Sequence, residues 1–207
     1  MAFKLANFGL TSKDSHRDDP YWDFFINTPP EDLTNTVTKL IRNAPPGNVF
    51  PHKAELHTPE ITASHVKGMA QYFGAELIGI ARLADFSPRP MAAQDNGEAA
   101  SKNDDVAELP FAVLCAVHAD YDPRVSPGIG GQMPVQNGLF ITFVLSAWIR
   151  ELGYRATVVR DADTDALAAK AGLGHLNDQG RLVTPKFGAK VYVADAIYTD
   201  LPLAADG

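Results

Sequence analysis

Residues 171–203, AGLGHLNDQGRLVTPKFGAKVYVADAIYTDLPL, carry the strongest structural signals in this sequence. The first four residues follow a helix-like segment, and Gly180 and Gly188 interrupt the segment that comes next. Residues 190–198 then predict a strand because they are rich in β-branched and aromatic side chains. So many glycines before a strand indicate either a backbone that passes close to a large, flat ligand or a helix end followed by two ordinary turns. The spacing alone leaves both interpretations open.

Composition and charge restrict the class of protein. The chain has 207 residues with 45% hydrophobic content, which suits one domain with a sizeable core. Its formal net charge of −7, with no basic patch, predicts no nucleic-acid-binding surface. No apolar run reaches the roughly 20 residues of a membrane span, and residues 1–6 lack the apolar segment of a secretory signal. We therefore predict a cytoplasmic protein without a membrane anchor.

The sequence upstream of residue 171 predicts several helices and strands. Residues 111–117 are almost entirely apolar, which predicts a central strand that is covered on both faces. The helix at residues 136–152 is apolar on most sides, so it is expected at the centre of the core. The other predicted elements are a helix at residues 59–73 capped by Thr58, a strand at 77–81, a strand at 156–159 and a helix at 165–170 capped by Asp163 or Thr164.

Residues 1–58 are predicted to form a peripheral arm, and residues 59–207 the core of the single domain. The arm contains an aromatic cluster at residues 20–25 and one helix that starts at Thr28, where prolines and acidic residues favour a first turn. Residues 85–108 predict a polar loop, and residues 126–131 predict a flexible turn because they contain three glycines and a proline.

Several motifs in the same order resemble the cobalamin-binding core of reductive dehalogenases and epoxyqueuosine reductases. They are AGLG at residues 171–174, GRLVT at 180–184, FG at 187–188 and TDLPL at 199–203, with further matching segments at 67–81 and 148–156. The resemblance covers roughly residues 59–203. It implies a nitroreductase-like α+β fold in which a central, mostly antiparallel sheet is flanked by helices.

The resemblance also implies a cofactor, cobalamin, and a set of residues around it. His175 directly follows the AGLG element, so it is expected either to make a polar contact with the cofactor or to be an exposed turn residue; a role as axial cobalt ligand is disfavoured, and we predict no metal-ligating residue. The predicted cofactor-binding residues are Gly172, Leu173, Gly174, His175, Gly180, Arg181, Leu182, Thr184 and Gly188.

Two polar clusters follow predicted strands, where sheet proteins often place their sites. One contains Tyr121 and the other contains Arg160 and Asp161. By resemblance, Tyr121 or Asp161 would donate a proton, and a cationic Arg160 would lower the pKa of a nearby Tyr121. The alternative is a turn held by aspartate side chains together with a surface ion pair.

The sequence departs from the resembled enzymes in its cysteine content. Those enzymes carry a cysteine module after TDLPL, whereas this chain has a single cysteine, Cys115, within an apolar run. An iron–sulfur cluster needs about four thiolates, so the electrons are expected from an external ferredoxin- or flavin-type reductase.

Three functions therefore remain open at the level of sequence. They are a corrinoid-dependent reduction of a small molecule, an FMN-dependent nitroreductase-like activity, and a non-enzymatic role as corrinoid carrier or partner subunit. The basic N-terminal pattern that usually binds the FMN phosphate is not evident, which places FMN second to cobalamin. Whether the protein is an enzyme, and whether it forms a homodimer, is left open.

Overall fold

The computed structural model describes residues 19–32, 37–85 and 108–207, which contain five α-helices and seven strands. The helices are α1 (Pro20–Asn27), α2 (Thr38–Asn43), α3 (Pro59–Tyr72), α4 (Ile129–Glu151) and α5 (Thr164–Lys170). The strands are β1 (Leu77–Arg82), β2 (Phe111–His118), β3 (Ala156–Val159), β4 (His175–Leu176), β5 (Leu182–Val183), β6 (Val191–Val193) and β7 (Ala196–Thr199).

The main sheet is antiparallel throughout its described pairings. Its order is β1-β2-β7-β3, and β6 also pairs with β2, while β4 and β5 form a separate two-stranded hairpin. These pairings confirm the predicted combination of helices with an antiparallel sheet. The narrower assignment to a nitroreductase-like fold stays a prediction.

Strand β2 lies at the centre and is covered on both faces, as its apolar sequence predicts. Successive side chains of a strand point to opposite faces. Accordingly Val113 and Cys115 join the core formed with α3 and α4, and Ala112 and Leu114 join the core formed with α5. Burial raises the pKa of the Cys115 thiol to about 12, so this group is a structural, unreactive thiol.

Helix α4 is the central helix, but it begins earlier than the sequence predicts. Residues 129–131 belong to its first turn rather than to a flexible turn. Gly128 and Gly130 allow α1 to pack closely against the start of α4. A Cβ on Gly128 would overlap the backbone of Phe25 and Ile26, and one on Gly130 would lie 2.7 Å from the Phe25 ring.

The N-terminal arm also differs from its prediction. The prediction that a helix starts at Thr28 is wrong, because residues 28–32 are not helical and α2 starts only at Thr38. The aromatic cluster at residues 20–25 is instead itself helical, and its first turn is capped by Asp19, whose carboxylate accepts a hydrogen bond from the Tyr21 amide at 2.9 Å. The arm–core boundary at residue 58 stays a prediction, and the loop predicted at residues 85–108 lies, except for its two end residues, outside the described residues.

Other element predictions are confirmed. Helix α3 starts directly after Thr58, whose hydroxyl accepts from the Ile61 amide, and Asp163 caps α5 by accepting from the Ala166 amide at 3.1 Å. Among the described residues, no helix combines the length and apolarity that crossing a membrane requires.

Candidate functional site

A β-bulge interrupts the long strand that the sequence predicts at residues 190–198. Ala116 pairs with Val193, whereas Val113 pairs with Ile197. Between these pairs, two residues of β2 oppose three residues of the other strand, so residues 194–196 contain one extra residue. Such bulges bend a strand and redirect a side chain, and here the bulge contains Asp195.

The Asp195 carboxyl is an unusual group to find inside a protein without a partner. Its Oδ2 atom is buried and accepts no hydrogen bond from any described residue. Burial raises the pKa of this carboxyl, and Asp161 adds to the rise, whereas the guanidinium groups of Arg42 and Arg160 oppose it. A buried polar atom without a partner destabilises the fold, so its presence here marks a candidate site.

Asp195 lines a small cavity of about 130 Å³, which we call the bulge cavity. Its polar lining comes from four parts of the chain: the loop after β2, the loop after β3, the start of α5 and the bulged strand. The polar lining residues are Arg124, Arg160, Thr164, Asp165, Tyr192 and Asp195. Burial, followed by the charge of Asp195, raises the pKa of Tyr192 to about 12, so its hydroxyl keeps its proton.

Ion pairs tie this cavity to the glycine-rich segment. Arg124 contacts Asp122 at 2.7 Å and Asp165 at 3.6 Å, and Asp122 in turn contacts Arg181 at 3.0 Å. Burial raises the pKa of Asp165, and the nearby Arg124 opposes that rise. The loop after β2 therefore connects α5 with the hairpin that carries Arg181.

Of the three predicted catalytic residues, only Arg160 lines the bulge cavity. Its guanidinium donates a hydrogen bond to the backbone carbonyl of Arg42, which brings the N-terminal arm to the edge of the site. Asp161 is exposed beside it.

Tyr121 lies apart from that cavity lining and packs edge-on against Phe25, with ring centroids 6.2 Å apart. The prediction that Arg160 lowers the pKa of this tyrosine is wrong. The pKa of Tyr121 is raised by burial and then by the charge of Asp120, and Arg160 is not among the causes.

The predicted cofactor-binding glycines fall into two groups. Gly172, Gly180 and Gly188 have φ angles of 75°, 73° and 57°, a conformation that favours glycine. A Cβ added to Gly172 or Gly188 would meet nothing within 4 Å, so the backbone is open there. At Gly174, by contrast, a Cβ would overlap the Val183 carbonyl oxygen, so this glycine serves packing inside the protein.

The other predicted cofactor-binding residues are partly internal. Leu182 and Thr184 are 2% and 3% exposed, and Leu173 packs against the core formed with α5. Thr184 exchanges two backbone hydrogen bonds with Gly188. His175 is exposed on β4, and the described residues contain no group of three or more His, Cys, Asp or Glu side chains that could hold a metal ion.

Replacing Asp195 is expected to change how stability depends on pH. Because the native pKa of Asp195 lies above its ordinary value of 3.8, the folded state binds more protons in that interval and loses stability as the pH rises through it. The side chain at residue 195 cannot ionise in the variant Asp195→Asn. The melting temperature of this variant should therefore rise relative to that of the parent protein as the pH rises from 4 to 8. Thermal unfolding at pH intervals measures this difference, with the exposed Asp178→Asn as control; a difference that does not vary with pH would contradict it.

Comparisons with known proteins point to one group of enzymes. No family model matches the chain. Over 102 residues it is 32% identical to tetrachloroethene reductive dehalogenases of Desulfitobacterium hafniense and of Dehalobacter restrictus, which covers 45% of this chain and 18% of those proteins. The chain thus spans about a fifth of the length of these curated relatives.

Solved structures give a wider match. The catabolic reductive dehalogenase NpRdhA in complex with 3-bromo-4-hydroxybenzoic acid superposes with a TM-score of 0.62 at 18% identity, over 84% of this chain and 26% of that one. A second reductive dehalogenase, described with a mechanism for B12-dependent dehalogenation, gives a TM-score of 0.59 at 20% identity with the same coverage. The chain therefore has the fold of one part of reductive dehalogenases. The resemblance to epoxyqueuosine reductases stays a prediction.

Proposed function

We propose that this protein binds a cobalamin-type corrinoid and catalyses or assists a reductive-dehalogenase-like reduction, with electrons from a separate protein. The observation that carries this proposal is the fold likeness, which spans 84% of the chain and includes a relative described as B12-dependent. Because the chain covers 26% of that relative's length, the reaction, its small-molecule substrate and its electron donor all belong to the proposal. So does the cytoplasmic location.

The open glycines fit a large, flat cofactor. Gly172 and Gly188 present bare backbone to open space, and the β4–β5 hairpin links them because Gly174 packs on Val183 while Thr184 pairs with Gly188. A corrin ring is far larger than the bulge cavity of about 130 Å³, so it would lie across this open backbone. His175 and Arg181 would supply polar contacts beside it.

When bound, cobalamin would supply a redox-active cobalt, and a reductive dehalogenation consumes two electrons and one proton while it replaces a carbon–halogen bond by carbon–hydrogen and releases halide. A side chain of this protein would provide the proton. Tyr121 and Asp161 are candidates from the sequence, and Asp195 joins them because burial raises its pKa. A carboxyl whose pKa is raised keeps its proton closer to neutral pH, which suits a general acid.

An anaerobic absorbance titration with hydroxocobalamin, and separately with FMN, tests the proposal. We expect a saturable shift of the corrin bands and retention of the corrinoid through desalting. Gly188→Asn should weaken binding by roughly tenfold, since asparagine tolerates a positive φ but projects a side chain into the open space. Gly68→Asn is the matched control, because Gly68 is equally open but belongs to α3, which packs on the opposite face of the sheet.

Each other outcome counts against the proposal. Retention of FMN in place of the corrinoid would assign the protein to the flavin alternative. Binding of neither would overturn cofactor binding by this chain. Equal weakening by Gly188→Asn and Gly68→Asn would show that the open backbone at residue 188 is not the binding surface.

A further inference from the structure

We propose that the bulge cavity is a binding site for a small monoanion, held by the Arg160 guanidinium together with the side chains of Tyr192 and Asp195. The site itself needs no corrinoid. Its connection to a reaction rests on the proposed function, because a dehalogenation releases halide and a short halogenated carboxylate would bring a carboxylate group. Both are small monoanions, and the experiment below separates them.

The charges around the cavity favour an anion. Arg124 is already paired with Asp122 and Asp165. Arg160, by contrast, takes part in none of the ion pairs found among the described residues. The hydrogen bond that its guanidinium makes within the described part of the chain is to a backbone carbonyl, which leaves other guanidinium donors available. A guanidinium at the edge of a partly enclosed cavity attracts anions more strongly than one in open water.

The two side chains from the bulged strand are suited to donate hydrogen bonds to an anion. Tyr192 has a pKa of about 12, so its hydroxyl is protonated at neutral pH. Asp195 has an Oδ2 atom that is buried and has no hydrogen-bond partner among the described residues. In its protonated form this carboxyl donates a hydrogen bond, whereas in its ionised form it repels an anion. Anion binding and protonation of Asp195 should therefore favour each other.

The charged neighbours of Asp195 within residues 19–32, 37–85 and 108–207 enter this balance. Arg42 from α2 and Arg160 from the loop after β3 favour the ionised carboxyl, whereas Asp161 disfavours it. Tyr192 lies on the same strand, and the paired Arg124 and Asp165 line the same cavity. An added anion acts in the same direction as Asp161, so it should draw a proton onto Asp195.

The size and the side chains of the cavity exclude other ligand classes. A volume of about 130 Å³ corresponds to roughly four water molecules at about 30 Å³ each. It is well below the roughly 300 Å³ at which pockets for drug-sized ligands begin. A metal cation is disfavoured because two arginines line the cavity and the described residues contain no cluster of metal ligands. A small anion remains, and the proposed reaction supplies two candidates, a halide and a short carboxylate.

The test is a calorimetric titration of the full chain, without corrinoid, with sodium bromide and separately with sodium acetate. Sodium gluconate, whose own binding is titrated separately, maintains the ionic strength. We expect saturable binding of at least one anion, tighter at pH 5 than at pH 8. Bromide alone would indicate the released halide as the ligand, acetate alone would indicate a substrate carboxylate, and both would indicate a general monoanion site.

Two variants with matched controls test the assigned residues. Arg160→Gln should weaken binding by roughly tenfold or more, since it removes a charged hydrogen-bond donor from the anion, and Arg160→Lys should restore part of it. Asp195→Asn should retain binding but remove most of its dependence on pH. Arg82→Gln and Asp178→Asn, two exposed sites outside the cavity, should bind like the parent.

Three results would overturn the anion site: no saturable binding of either anion, unchanged binding by Arg160→Gln, or an unchanged pH dependence in Asp195→Asn. The corrinoid titration is an independent measurement. Anion binding without corrinoid binding would overturn the proposed function alone, and corrinoid binding without anion binding would overturn this inference alone.

Discussion

Gly174→Ala is expected to destabilise the protein by about 3 kcal/mol, which lowers the melting temperature by roughly 6–12 °C for a domain of this size. A Cβ at this position would overlap the Val183 carbonyl oxygen and lie 2.9 Å from its carbon and 3.1 Å from the Thr184 Cα. All three atoms are backbone, so no side-chain rotation relieves the overlap. The β4–β5 hairpin would have to move away from the end of α5. Urea unfolding, followed by circular dichroism, measures the loss.

Two other glycines are matched controls for this prediction. Gly172 has a φ of 75° but open space around it, so Gly172→Ala should cost only about 1 kcal/mol of backbone strain. Gly68→Ala, at an open position within α3, should stabilise the protein by roughly 0.5–1 kcal/mol. Equal losses at residues 172 and 174 would contradict the distinction between the open glycines and the internally packed one.

The parts of the fold that the sequence predicts are those with local signals. Thr58 and Asp163 each place a hydrogen-bond acceptor at a helix start, and α3 and α5 begin directly after them. Strand β2 was predictable because an apolar run of this length indicates a strand that is buried on both faces, whichever segments of the chain pack against it. The single cysteine within that run is buried together with the strand.

Other parts depend on contacts between distant segments. Residues 128–131 carry turn signals, yet α4 begins there because these glycines admit neighbouring backbone, with Gly131 lying against the Ser126 carbonyl. Nothing local to residues 126–131 indicates that α1 will pack on them. In the same way, Thr28 and the prolines after it satisfy the rules for a helix start, but the chain leaves α1 in an extended conformation at Thr28.

The candidate site shows the same division. Arg160 was predictable as a polar residue at a strand end, and it does line the cavity. Asp195 was missed because it lies within a predicted strand, and the one-residue shift against β2 arises only when the sheet pairs. A signal was nevertheless present: an acidic residue in the middle of an otherwise apolar strand is rarely buried without a purpose.

The TDLPL motif at residues 199–203 was recognised by resemblance, and its described contacts hold parts of the fold together. The Thr199 hydroxyl donates to the Arg155 carbonyl at 2.7 Å and accepts from the Leu201 amide at 3.0 Å. Asp200 accepts from the Arg155 amide at 2.7 Å and from its Nε at 3.1 Å. Leu201 and Leu203 are almost fully buried. The motif therefore fixes the end of β7 against the start of β3.

Thr199→Val is consequently expected to destabilise the protein by about 2–3 kcal/mol, although the two side chains have nearly the same shape. Thr199 is fully buried, and valine would leave the Leu201 amide without its acceptor and the Arg155 carbonyl with only a long bond of 3.4 Å from the Asp200 amide. Each unsatisfied buried polar group costs about 1–3 kcal/mol.

The matched control is Thr157→Val on β3, where the hydroxyl makes none of the hydrogen bonds found among the described residues, and its effect should stay within about 0.5 kcal/mol. Urea unfolding of both variants measures the difference. If Thr199→Val were as stable as Thr157→Val, the motif would not act through these hydrogen bonds. If it lost stability but bound hydroxocobalamin like the parent once folded, then the motif in this chain supports the scaffold rather than the cofactor, and the residues that contact the corrinoid must be sought at the open backbone of Gly172 and Gly188.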